Sequence, residues 1–326
     1  MNARPSRRAA LWLAAAALAT LCAPALAQSA WPSKPVRIIV PYPAGGVGDI
    51  GTRAFAQRLA ARIGQQVVVE NIPGGTQVVG MQALVKSPPD GHTLILASPT
   101  SLVLNPVLRL QLPYAADKLT LVSRLFSSPL FIISSNKLPA SSVRELVAYA
   151  KANPEAVNYV STGEGSATHL ATALFAQLTG VKMKHVPYKG SAQANGDLVS
   201  GEVHVHFDPG AGTLALVNDG RLKALAVSGA QRSRTLPNVP TVIESGVPYD
   251  VVSWWGLAAP EGTPKVVADQ IAAAVALAMT DASLHEQGLK LAIDYAGSTP
   301  DEFTSFVAGE RQRWGGMVRT LGLKPE

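Results

Sequence analysis

The stretch IIVPYPAGGVGDIGTR, Ile38 to Arg53, carries the first decision about the fold. The run Val36 to Val40 reads as a buried strand, and Ile50 to Ile63 has helix-like apolar spacing. Between them Gly46, Gly48 and Gly51 spell G-x-G-x-x-G, the pattern that in nucleotide-binding enzymes holds a pyrophosphate at a strand-to-helix turn. Glu70, at the end of VVVE, falls 24 positions after Gly46, where a ribose-binding carboxylate would stand. An exported NAD-binding oxidoreductase using Gly46, Gly48 and Gly51 is therefore one reading. Pro41 and Pro43 oppose it, because they force an extended elbow before Ala44, Gly45 and Gly46, and that elbow is wider than a pyrophosphate turn.

Working outward, the N-terminus looks like a leader. Arg4, Arg7 and Arg8 precede the short apolar run Ala9 to Ala23, and Ala25-Leu26-Ala27 is a small-x-small cleavage signal. Cleavage after Ala27 (signal peptide 1–27) sends the mature chain to the periplasm, without a nicotinamide pool. The single cysteine, Cys22, leaves with the leader, so no disulfide is expected. With 47% hydrophobic residues the 326-residue chain can bury a large core. Removing three arginines lowers the net charge from +6 to +3. That small, scattered excess is not a nucleic-acid face, and no further stretch predicts stable membrane insertion.

Short β-rich runs alternate with helical patterns through the mature chain. Strands are expected at 36–40, 67–69, 93–97, 130–134, 158–160, 184–186, 203–207, 223–227 and 251–257, and helices at 78–86, 143–151, 168–178, 192–198 and 266–279. The alternation predicts an α/β fold of mainly parallel sheets flanked by helices. Ligands then bind beyond the carboxyl ends of the strands. Four loops there are rich in Gly, Ser, Thr or Asp: PYPAGGVGD, SPTS, STGEGSATH and DPGAG. Two fall early and two in the middle of the chain, as for two lobes across a cleft.

In order and spacing, YPAGGVGD, VVVEN, PDGHTL, STGEGSATHLA, HVPYKGS, RSRTLPNVPTVIESG, GLAAPEGTP and STPDEF resemble the Bug-type periplasmic receptors of tripartite tricarboxylate transporters. The resemblance runs over essentially the whole mature chain. It implies a two-lobed Venus-flytrap fold that performs no reaction, works as a monomer without cofactor, and hands a small organic anion or related solute to the transporter's membrane components. It also implies that backbone groups and bridging water hold the ligand carboxylate, with the loop after the first strand as main anchor. Lobe 1 is expected over 28–127 plus 254–326, and lobe 2 over 128–253. The chain departs from the family at Gly48, where Thr or Ser often stands, and at Pro73-Gly74-Gly75-Thr76-Gln77, where PGAGG is usual.

Residue by residue, Tyr42, Ala44, Gly45 and Gly46 form the candidate anchor, because glycine lets a backbone approach an anion at a helix N-terminus. Asp49 is placed to cap that helix or to touch ligand. Ser98 and Thr100 come from the second loop. In the third, Ser161, Thr162 and Ser166 offer hydroxyls, and His169 lies one turn after Gly165. Tyr188 is a candidate cleft wall, as is Trp254, with Trp255 beside it; which of the two faces the pocket is open. Asp208 either contacts ligand or caps the next helix. The strand EVHVHFD puts His204, His206 and Asp208 on one face, a possible zinc set; the motif is short, and no metal is expected.

Overall fold

The computed structural model describes residues 31–323 and 325; the expected leader lies outside them. Two mixed sheets organise the chain. The first takes β1 (Val36–Val40), β2 (Val67–Asn71), β3 (Thr93–Ala97), β4 (Thr120–Pro129), β10 (Val252–Ala259) and β11 (Asp294–Tyr295), in the order β11-β4-β10-β3-β1-β2. The second takes β5 (Phe131–Ser135), β6 (Asn158–Ser161), β7 (Lys184–Pro187), β8 (Val205–Asp208) and β9 (Leu222–Val227), in the order β7-β6-β8-β5-β9.

β1 and β3 are largely buried on both faces, which is why they read as apolar runs broken only by Arg37 and by Thr93 at the start of β3. β2 lies at the sheet edge with an alternating exposed face, and there Glu70 pairs with Arg37 at 2.6 Å. Helices cover the sheets: α1 (Val47–Ile63), α2 (Val78–Val85), α3 (Asn105–Leu108), α4 (Val143–Ala152), α5 (Ala167–Thr179), α6 (Asn195–Ser200), α7 (Leu214–Asn218), α8 (Lys265–Ala278), α9 (Ala282–Lys290) and α10 (Pro300–Thr320). α5 starts at Ser166, whose hydroxyl accepts the His169 N–H, and ends at Gly180 with φ 68°. α10 opens on a capping box, Thr299 with Glu302.

The parallel pairings are β1 with β2 and β3, and β6 with β7 and β8. Through β10, β4 and β11, and through β5, the pairing is antiparallel. Connectivity explains the difference. The chain leaves the first sheet along β4, passes directly into β5 of the second, and returns along β10. An outgoing and a returning strand that lie side by side must run in opposite directions. Their register joins Val252 to Pro129 and Ala259 to Thr120, with irregularities at Trp255/Gly256 and Leu257/Ala258. β4 escapes the sequence reading because TLVSRLFSSP carries serines, an arginine and a terminal proline, the composition of a turn.

Candidate functional site

The carboxyl ends of β1, β3, β6, β7 and β8 converge on one narrow cavity. The first sheet contributes Tyr42, Pro43, Ala44, Gly46, Val47 and Gly48 from the elbow and α1, with Ser98, Pro99 and Thr100 after β3. The second contributes Thr162, Ala167 and Thr168, the turn Gly190 to Gln193, and Pro209. Ser253 and Trp255 of β10 complete the wall. The two halves touch around it: the Ala167 N–H donates to Thr100 Oγ1 at 3.1 Å, and Thr76 Oγ1 donates to the Glu164 carbonyl at 3.3 Å. The cleft is closed.

No acidic, basic or histidine side chain lines this cavity among the described residues. Its polarity comes from helix ends and hydroxyls. Gly46 is the N-cap of α1, extended at φ −85° and ψ 169°, and no side chain caps the helix. The N–H groups of a first turn have no partner inside the helix, and Val47 and Gly48 of that turn face the cavity. The positive end of the 17-residue α1 dipole therefore opens on the site, with the N-terminus of α5 across from it. A Cβ added at Gly46 would meet nothing within 4 Å, because that side of the backbone faces open space.

Of the residues singled out in the sequence, Tyr42, Ala44, Gly46, Ser98, Thr100 and Thr162 line the cavity. Gly45, at φ 90°, lies just behind it, and its N–H donates to Asp49 Oδ2 at 3.0 Å. Asp49 is buried and faces away. Its other oxygen accepts from Arg53 Nε at 2.9 Å and from Asn71 Nδ2 at 2.9 Å, so the carboxylate fixes the elbow from behind and has no exposed face for a ligand. Ser161 closes its own loop through the Gly163 backbone and lies 2.6 Å from His185 Nε2, while Ser166 caps α5. His169 stacks on His185 with centroids 4.1 Å apart, and its Nδ1 accepts the Gly165 N–H. Burial pushes the His169 imidazole down, and burial with the neighbouring His169 pushes His185 down to about 4. Tyr188 borders an adjoining cleft, with its hydroxyl on Asp197 at 2.5 Å. Asp208 accepts from the Gly210 N–H and Thr213 Oγ1, so it holds the DPGAG turn and leaves Pro209 to face the cavity.

Trp254 requires correction. It lies on the other face of β10, where its indole donates to buried Glu310 at 2.7 Å and packs edge-on against Phe303 and Phe306. Trp255 is the cavity wall, and its Nε1 donates to Tyr42 Oη at 3.3 Å. In the HVPYKGS loop the sequence singles out Tyr188, whereas Gly190 and Ser191, with Ala192 and Gln193 of the turn that follows, are the residues that line the cavity.

The glycine fingerprint acquires a different explanation. A side chain at Gly48 would meet the Tyr42 ring at 3.1 Å and Leu96 at 3.2 Å, and one at Gly51 would meet Phe126 at 3.0 Å. Both glycines let α1 lie close on the sheet. Glu70, the residue at the position of a ribose-binding carboxylate, stands exposed near the end of β2 and pairs with the Arg37 guanidinium. His204 accepts from the Asn158 N–H, and His206 is buried with Nδ1 3.8 Å from Asp208 Oδ1.

The tripartite tricarboxylate transporter family receptor model matches residues 52–323. BugT of Bordetella pertussis is 36% identical over 315 residues, 94% of this chain and 95% of that protein. Among solved structures, Rpa4515 of R. palustris with adipate superposes with a TM-score of 0.87 at 32% identity, covering 91% of this chain and all of the other. MatC of Rhodopseudomonas palustris with bound malate superposes at 0.82 and 27% identity, over 88% of this chain and all of the other. With its two-sheet architecture and inter-lobe cavity, the chain belongs to the receptors of the tripartite tricarboxylate transporter family.

Proposed function

We propose that this receptor captures a small dicarboxylate between its lobes in the periplasm and presents it, without chemical change and as a monomer, to the transporter's membrane components. Lobe 1 comprises 28–127 plus 254–326 and lobe 2 comprises 128–253, with the leader removed after Ala27. The observation that carries the reading is the inter-lobe cavity whose donors are backbone N–H groups and hydroxyls, with the α1 N-terminus opening on it. Such a site stabilises negative charge without a counter-charge in its wall. The adipate and malate held by Rpa4515 and MatC support the dicarboxylate class. Ala44, Gly46, Ser98, Thr100 and Thr162 are the contacts assigned to the ligand, together with Tyr42 and Trp255.

Native mass spectrometry of protein purified without refolding tests the assignment. The expected adduct is a small organic diacid. A bound nucleotide would return the glycine fingerprint to the dinucleotide reading.

A further inference from the structure

Gln77 sits where the backbone resists a side chain. It has φ 75° and follows Thr76 at φ 52°, two successive non-glycine residues in the left-handed region. Such strain persists where surrounding contacts hold it, and it concentrates at functional sites. Here the Thr76 carbonyl accepts from Asn105 Nδ2 at 3.0 Å. The Gln77 side chain is buried directly behind the cavity wall. Its amide joins two wall hydroxyls: Nε2 donates to Tyr42 Oη at 2.8 Å, and Oε1 accepts from Ser98 Oγ at 2.9 Å. Trp255 Nε1 also donates to Tyr42 Oη.

The donors and acceptors of this group do not balance. In the orientation observed, Tyr42 Oη receives two N–H donors and its own proton has no place on the amide. With the amide turned over, Tyr42 would donate to Gln77, the amide N–H would donate to Ser98, and the Ser98 proton would be the one left over. In both arrangements one hydroxyl proton finds no acceptor on the amide, and Tyr42 and Ser98 both line the cavity. Without an incoming acceptor the proton can only fold back on the neighbouring hydroxyl.

We propose that Gln77 is the specificity-determining residue of the ligand site: by joining Tyr42 to Ser98 through one amide, it obliges that corner of the cavity to offer a single hydroxyl donor, which a ligand must meet with an acceptor such as a carboxylate oxygen. This rests on the dicarboxylate reading and names the residue that enforces it. Gln77 is a positioning residue, acting through the two hydroxyls. Because either hydroxyl can carry the proton once the amide turns, the two substitute for one another.

The test is a double-mutant cycle on the full mature chain, with calorimetry against adipate and malate and a thermal melt for each variant. Tyr42→Phe and Ser98→Ala are each expected to lower affinity by less than about tenfold, since the remaining hydroxyl keeps the donor, while the double variant falls by more than the product of the two. In a Gln77→Met background the two losses should multiply independently. Independent losses in the wild-type background, where Gln77 is intact, overturn the inference. Should the double variant not melt cooperatively, Gln77→Glu replaces it: its carboxylate accepts from both hydroxyls and leaves no proton for the ligand. Its loss should exceed that of Gln77→Met by about tenfold or more, and equal losses overturn the proposal. A wild-type protein that binds no dicarboxylate overturns the functional reading and this inference together, whereas a wild type that binds one beside an additive cycle overturns the inference alone.

Discussion

Trp254 and Trp255 stand next to one another in β10 and do unrelated work. Strand alternation sends them to opposite faces, and this much is legible in the sequence. Which face meets the cavity is decided 56 residues later, where Glu310 of α10 provides a buried carboxylate that accepts both the Trp254 indole and the Trp314 indole, the latter at 2.8 Å. No local pattern announces that partnership. Trp254→Phe should lower stability by about 1–3 kcal/mol, from a lost buried hydrogen bond and imperfect packing, and leave ligand affinity unchanged. Trp255→Phe should weaken binding, because Tyr42 loses a donor. Denaturant melts and calorimetry on the two variants separate the effects, and the opposite pattern would restore Trp254 to the site. Asp49 and Asp208 teach a related lesson: an acidic residue in a glycine-rich loop reads equally as ligand contact or turn clamp until its neighbours are known, and here Asn71, Arg53 and Thr213 make both of them clamps.

At the scale of elements, the β1–α1 unit was readable as strand, elbow and helix, but the helix begins at Val47 and takes in two of the three fingerprint glycines. The sequence pattern could not separate glycines that admit a ligand from glycines that admit a neighbouring strand, since both need the missing Cβ. Substitution can. Gly46→Val should fold with stability within about 0.5 kcal/mol of the parent and lose solute binding. Gly51→Val, forced against Phe126, should cost about 1–3 kcal/mol. Calorimetry and melting temperatures check both, and unchanged affinity in a folded Gly46→Val protein would remove the elbow from the site. A second element-scale prediction concerns the stack of Tyr159 on β6, His185 on β7 and His169 on α5. The folded protein holds the His185 imidazole neutral down to about pH 4, whereas the unfolded chain takes up its proton near 6.5. Unfolding then binds a proton between those values, so stability should fall as pH drops from about 6.5 to 4 and level below. Replacing His185 with Phe should flatten that slope; an unaltered slope would assign it to other groups.

For the whole molecule, the alternation of strands and helices made two α/β lobes legible, whereas the mixed pairing of the sheets was not, because it follows from the path of the chain between lobes and not from any local period. Direct contacts between the halves hold the closed arrangement, among them Ala167 to Thr100, Thr76 to Glu164 and Gln177 to Thr320. A ligand that touches both walls adds to those contacts only in the closed state and so shifts the population toward it. Small-angle scattering should show a smaller radius of gyration with saturating ligand, with the change absorbed where β4 meets β5 and where β10 begins. Thr100→Ala should enlarge the ligand-free form and weaken binding. No compaction by a ligand of proven affinity, in a protein open when free, would rule out closure as the signal.

A cavity walled by amides and hydroxyls has a consequence for energy coupling. Its wall holds no carboxylate, ammonium or imidazole among the described residues, and burial pushes the one phenol, Tyr42, above its ordinary range. Capture and release of a fully ionised diacid there exchange no proton with the wall, so affinity stays level across the mildly acidic to neutral range in which the lobes themselves keep their shape. Acidification outside the cell gives such a receptor no means of unloading. On the proposed reading, the cargo leaves when the two lobes part.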